Sequence, residues 1–87
     1  MYKLEIYSQP NCVYCQMARR ILHERRIEFI EYDISHDSII AHEMRKRSDR
    51  LTTPQIFLNH EHIGGFDDML AAIRDGSFLR KLAVAIQ

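Results

Sequence analysis

Eighty-seven residues, 46% of them hydrophobic, suffice for one small domain with a modest core and little stability to spare. Twelve basic residues balance twelve acidic ones, so the chain lacks the basic excess that a nucleic-acid binder needs to neutralise phosphates. The longest purely apolar run, Leu82-Ala83-Val84-Ala85-Ile86, is far too short to span a bilayer.

Lys3-Leu4-Glu5-Ile6-Tyr7 alternates polar and apolar side chains and reads as a first strand. It starts so close to Met1 that a signal peptide has no room, and a cytoplasmic protein is expected. Pro10-Asn11-Cys12-Val13-Tyr14-Cys15 follows and holds both cysteines of the chain. Tyr14, Met17, Ala18, Ile21 and Leu22 then recur at helical spacing, which predicts a helix over 13–25. The β-branched and aromatic stretch 27–34 predicts a second strand, and strand–helix–strand closes as a right-handed unit with parallel strands. Ser35-His36-Asp37-Ser38 offers an N-cap for a helix over 38–48, with Ile39, Ile40 and Met44 facing inward and Glu43–Arg47 at favourable i, i+4 spacing.

Thr52-Thr53-Pro54 ends that region and 55–58 is a third strand. Asn59-His60-Glu61 is a turn, His62-Ile63 a very short fourth strand stopped by Gly64-Gly65, and the pair makes a hairpin. Asp67 or Asp68 opens a third helix that ends at Gly76. Ser77 caps a last helix with Phe78, Leu79, Leu82 and Ile86 on one face. The expectation is a single α/β domain over 1–87, order β-α-β-α-β-β-α-α, with a four-stranded mixed sheet flanked by helices. The basic clusters Arg19-Arg20, Arg25-Arg26 and Arg45-Lys46-Arg47 with Arg50 have acidic neighbours and read as solvated helix faces.

A Cys-x-x-Cys at a strand-to-helix junction has a physical use. The first turn of a helix presents unpaired N–H groups and partial positive charge. A thiolate placed there is stabilised, its pKa falling from about 8.5 into the range of roughly 3.5–7.5. Cys12 takes that position, and Cys15, one turn further in, is placed to close a disulfide with it. Thiol–disulfide chemistry is therefore the first reading. Zinc is disfavoured, because a structural site needs about four ligands at patterned spacing. His60 and His62 are two apart, while His23, His36 and His42 are scattered.

A Cys-x-x-Cys in this context points to the thioredoxin-like class, and three stretches narrow it. Residues Tyr7-Ser8-Gln9-Pro10-Asn11-Cys12-Val13-Tyr14-Cys15 resemble the active-site turn of the glutaredoxins. Thr52-Thr53-Pro54-Gln55-Ile56-Phe57 resembles their Thr-Val-Pro-Gln-Ile-Phe segment, and Gly64-Gly65-Phe66-Asp67-Asp68 their Gly-Gly-Cys-Asp-Asp block. The chain looks like a small bacterial-type dithiol glutaredoxin.

The resemblance implies a cis bond before Pro54, which brings the Thr53 backbone beside Cys12 to pair with the cysteine of bound glutathione. It implies close ligand approach at Gly64-Gly65, the γ-glutamyl carboxylate on the Phe66 and Asp67 N–H groups, and the ammonium on the Asp67 side chain. Tyr14 would flank the thiol and Arg50 take the glycyl carboxylate. Taken alone, the residues also allow a trans turn at Pro54, an N-cap role for Asp67, a solvated Arg50 and a Tyr14 within the apolar stripe of its helix.

Three departures matter. Val13 stands where Pro is common, Gln9 where many members carry Lys, and Phe66 where the extra Cys lies. The implied activity is reduction of protein disulfides and glutathionylated proteins with glutathione as co-substrate, by a monomer. One alternative is a glutaredoxin-like electron donor reduced by thioredoxin reductase. Another is a module holding a [2Fe–2S] cluster between two protomers, which the absence of Pro in the turn favours.

Overall fold

A hydrogen-bonded sheet of four strands carries the architecture. The structure is a computed structural model that describes residues 1–86, with side-chain surroundings described through residue 83. The elements run β1 Leu4–Ser8, α1 Val13–Glu24, β2 Ile30–Asp33, α2 Ser38–Ser48, β3 Gln55–Leu58, β4 Glu61–Gly64, α3 Phe66–Arg74 and α4 Ser77–Ile86, in the predicted order. The sheet order is β2-β1-β3-β4. β1 pairs parallel with β2 and antiparallel with β3, and β4 is antiparallel to β3, so the sheet is mixed. No helix among the described residues is long and apolar enough to cross a membrane.

β1 and β3 are buried along their whole length, which means both sheet faces are covered. On one face Leu4, Ile6, Ile56 and Leu58 pack with Ala18 and Leu22 of α1, Phe66, Met69 and Ile73 of α3, and Phe78 and Leu82 of α4. On the other, Tyr7 and Phe57 pack under Met44 of α2, with Tyr32, Ile34 and Ile40 at the margin. The alternation in β1 therefore separates two cores. Glu5, which points to the α2 side, is 3% exposed. It is held there by Arg47 Nη2 at 3.1 Å and by the Tyr32 hydroxyl at 2.9 Å.

The element ends differ from expectation for local reasons. α1 stops at Glu24 because Arg26 turns left-handed (φ 57°), and the Ile27 N–H then bonds back to Leu22 at 2.9 Å. The chain at 27–29 is spent closing the helix, so β2 begins only at Ile30, opposite Glu5. In α2 the Asp37 carboxylate caps the Ile39 and Ile40 N–H groups, and Ala41, Met44 and Ser48 form the buried stripe. Ile39 falls on the outer side, 77% exposed, contrary to the inward face read from sequence. The β3–β4 turn is Asn59-His60, both at positive φ (51° and 70°) as a two-residue hairpin requires, and Glu61 already belongs to β4.

α3 starts at Phe66 on a Gly65 N-cap, one residue before the expected Asp67, because the Asp68 carboxylate reaches back to the Gly65 N–H at 2.9 Å. Gly76 has the left-handed φ of 85° expected at a helix stop. Ser77 is the first residue of α4 rather than its cap, and the Asp75 carboxylate accepts its N–H. Phe78 and Leu82 are buried while Leu79 is 42% exposed, so the inner face is narrower than the sequence indicated. Ile86 on that face lies outside the described side chains.

Candidate active site

The loop from β1 to α1 turns at Asn11, which has φ 62°, and delivers Cys12 as the N-cap of α1 with φ −95° and ψ 107°. In this position its carbonyl accepts the first helical bond, from Gln16 N–H at 3.0 Å. Its sulfur accepts the Cys15 N–H at 3.2 Å. The first turn of α1 carries no acidic residue to offset the helix's positive end. Cys12 and Cys15 are joined as a disulfide. Cys15 is completely buried and Cys12 is half-buried, so the outer sulfur is the one an incoming group can reach.

The loop before β3 comes up against this sulfur. The Thr53–Pro54 peptide is cis, as the resemblance implies. The Thr53 carbonyl oxygen lies 3.6 Å from Cys12 Sγ, and the Thr53 hydroxyl donates to the same sulfur at 3.4 Å. Gln9 Nε2 donates to that hydroxyl at 3.1 Å. Pro54 is buried, with its carbonyl beside Gly65.

A shallow cleft of about 240 Å3 is lined by Tyr14, which stands between the two cysteines in the first turn of α1, and by Arg50, Gly65, Phe66, Asp67 and Asp68. Tyr14 stands 56% exposed on its wall rather than in the core, its ring 5.8 Å from that of Phe66. Asp67 is exposed at the N-terminal turn of α3. Gly64 has φ 127°, and any Cβ there would overlap the Asp68 carboxylate, so a glycine is required.

The structure thus gathers the sequence-predicted residues at one end of the sheet, with Cys12, Cys15 and Thr53 in direct contact and Tyr14, Arg50, Gly65, Phe66 and Asp67 around the adjoining cleft. Sequence reasoning missed Asp68 as a cleft residue. Its carboxylate binds Arg50 Nη1 at 3.0 Å as well as the Gly65 N–H. These bonds, the Gly65 one first, hold it below the usual carboxylate range. The three-residue spacing from Gly65 was the available signal. A larger open groove of about 670 Å3 is lined by His23, Arg26, Ile27, Glu28, Phe29 and Glu31, at the opposite end of α1 from Cys12.

A disulfide-forming cysteine pair whose outer sulfur caps a helix, set against a cis-proline loop on this mixed sheet, defines a thiol–disulfide oxidoreductase of thioredoxin-like fold. Residues 4–63 match the glutaredoxin family model, and the chain belongs to the glutaredoxin family. It is similar to glutaredoxin 3 of Escherichia coli strain K12, 42% identical over 71 residues that cover 82% of this chain and 86% of that one. The solution structure of glutaredoxin from Brucella melitensis superposes with a TM-score of 0.76 at 39% identity, covering 87% of this chain and 83% of that one. The crystal structure of a buckwheat glutaredoxin–glutathione complex shares the fold, with a TM-score of 0.85 at 21% identity over 94% of this chain and 77% of the other.

Proposed function

We propose that this protein reduces glutathionylated proteins and protein disulfides in the cytoplasm at the expense of glutathione, acting as a monomer. The observation that carries the reading is the cleft at the first turn of α1. It is walled by Tyr14 and leads to the N-terminus of α3, with the Arg50 cation and the Asp67 anion at its edge. Glutathione has two carboxylates and one ammonium. The α3 N–H groups suit one carboxylate, Asp67 the ammonium and Arg50 the other carboxylate.

The chemistry is thiol–disulfide exchange. The Cys12 thiolate attacks the glutathione sulfur of a mixed disulfide. That S–S bond breaks, the protein leaves as a thiolate that takes a proton from water, and glutathione stays joined to Cys12. A second glutathione thiolate attacks its sulfur, releasing glutathione disulfide and the Cys12 thiolate. With a protein disulfide, Cys15 instead attacks Cys12 in the mixed disulfide, expelling the reduced substrate and leaving the Cys12–Cys15 disulfide. Two glutathiones then reduce it.

The test is NADPH-coupled turnover of a small mixed disulfide, with glutathione and glutathione reductase in one arm and thioredoxin reductase alone in the other. Turnover in the first arm only is expected. Turnover in the second only would replace this reading by an electron donor fed by thioredoxin reductase. Turnover in neither would bring forward the [2Fe–2S] module, which anaerobic purification would reveal by its colour. Asp67 is exposed, so Asp67→Ala leaves the fold intact. It is expected to raise KM for glutathione about three- to tenfold with little change in kcat, the loss of one solvent-screened, charge-assisted bond.

A further inference from the structure

We propose that Gln9 and Thr53 form a hydrogen-bond relay that holds the Cys12 sulfur as a thiolate, Gln9 being a positioning residue that acts through the Thr53 hydroxyl. The inference rests on Cys12 being the nucleophile and is independent of glutathione.

The geometry runs in one direction. Gln9 Nε2 lies 3.1 Å from Thr53 Oγ1, and Thr53 Oγ1 lies 3.4 Å from Cys12 Sγ. An amide N–H can only donate, so the Thr53 oxygen accepts from Gln9. A hydroxyl has one hydrogen, and with Gln9 on its acceptor side that hydrogen is directed at the sulfur. The opposite orientation of the amide would take the hydrogen away from the sulfur. A bond donated to a sulfur favours its anionic form, because the anion accepts more strongly than the thiol. In the disulfide form the sulfur has two donors, the Cys15 N–H at 3.2 Å and the Thr53 hydroxyl, and they are closer than the one opposing acceptor, the Thr53 carbonyl at 3.6 Å.

No lysine or arginine among the described residues bonds to Cys12 or Thr53, so the relay works without a cation at the thiol. The charged groups nearby are engaged elsewhere or stand apart. In the groove beside Gln9, Arg19 is bound to Glu31 at 2.6 Å and Asp33 accepts from Ser35. α1 has no acid in its first turn. From the α3 side, Arg50 is bound to Asp68, and Asp67 lines the cleft.

Gln9 is one of the departures named above, and Thr53 also differs from the quoted segment. Position 9 has Gln where Lys is frequent, and position 53 has Thr where the quoted segment has Val. The structure puts these two in contact with each other, and the second in contact with the sulfur.

The test is the Cys12 pKa of the reduced protein, read from thiolate absorbance and from the pH dependence of alkylation. Gln9→Leu is expected to raise it by about half a unit to one unit, and Thr53→Val by about one unit or more. In the Thr53→Val background Gln9→Leu is expected to add nothing, because the connecting hydroxyl is gone. Thr53→Ser keeps the hydroxyl and is expected to stay near the wild-type value. The acid limb of kcat/KM should move with the thiol.

Equal shifts from Gln9→Leu with and without the hydroxyl, no shift, or a lowered pKa would each overturn the relay. A normal relay with no glutathione turnover would reject only the glutathione reading. An ordinary, unshifted Cys12 pKa in the unmutated protein would reject the nucleophile assignment, and the relay with it.

Discussion

Cys12→Ser is expected to abolish turnover of every disulfide substrate, by more than about a thousandfold, whereas Cys15→Ser keeps deglutathionylation and loses reduction of protein disulfides. The asymmetry follows from where α1 places the two sulfurs. Cys12 caps the helix, is half-buried, and receives the Cys15 N–H and the Thr53 hydroxyl. A serine oxygen there would remain a protonated alcohol at neutral pH and would not attack sulfur. Cys15 is completely buried within the first turn, so no bulky substrate reaches it. It can act only on a sulfur already held at Cys12. A glutathionyl group on Cys12 can be removed by free glutathione, but a large protein partner needs the resolving thiol. Steady-state assays of both variants on the two substrate classes check this. Equal loss in both variants, on both classes, would contradict the assigned roles.

The largest effect on stability is expected from Arg47→Met. Arg47 ties α2 to the sheet. Its Nη2 meets Glu5 Oε1 at 3.1 Å and its Nη1 donates to the Tyr7 hydroxyl at 2.8 Å. The guanidinium lies 4.0 Å over the Phe57 ring. Tyr7 in turn donates to Glu43 at 2.6 Å. Burial, and then that bond to Glu43, push the Tyr7 phenol up to about 12. Removing the guanidinium leaves Glu5 buried with only the Tyr32 hydroxyl and Lys3, whose ammonium is 3.8 Å away. Stranding a buried charge costs about 3 kcal/mol, against a total of roughly 5–10 kcal/mol for a domain of this size. The thermal midpoint should fall by about 10–20 °C.

The same substitution should reverse the acid response. Burial pushes the Glu5 carboxyl up, but the bonds from Arg47 and Tyr32 and the two nearby cations outweigh it, and the group ends below the ordinary carboxyl value. A depressed folded-state pKa contributes stability above the unfolded value, and that contribution is lost as pH falls through the folded one. Without Arg47 burial acts with little opposition and the carboxyl rises above its ordinary value. The variant should then gain stability, relative to wild type, as pH falls through the carboxylate range. Denaturant midpoints measured across that range, for wild type and variant, show whether the difference narrows on acidification. A constant difference would contradict the assigned role of Glu5.

Most of the fold was readable because local signals and global packing agreed. Cys12 at the start of an apolar helical stripe, Asp37 before α2, Asn59 at the hairpin and Gly76 at a left-handed stop are backbone requirements written directly into residue types. What the sequence hid depends on contacts distant in the chain. Glu5 reads as the solvent-facing member of an alternating strand, yet it is buried because Arg47, 42 residues later, neutralises it. Ile39 reads as core, yet the Asp37 cap sets the phase of α2 and turns it outward. Within the site, the spacing placed the cysteines and the resemblance placed Thr53, Gly65, Phe66 and Asp67. The Gln9–Thr53 contact joins residues 44 apart, and no periodicity reports such a pair.

In turnover Cys12 is expected to take up glutathione as a covalent partner. The most direct measurement is intact mass and peptide mapping of Cys15→Ser after exposure to glutathione disulfide, followed by addition of reduced glutathione. The expected result is one glutathionyl group on Cys12, removed again by glutathione. A Cys12 that remains open to alkylation but takes up no glutathione would contradict it.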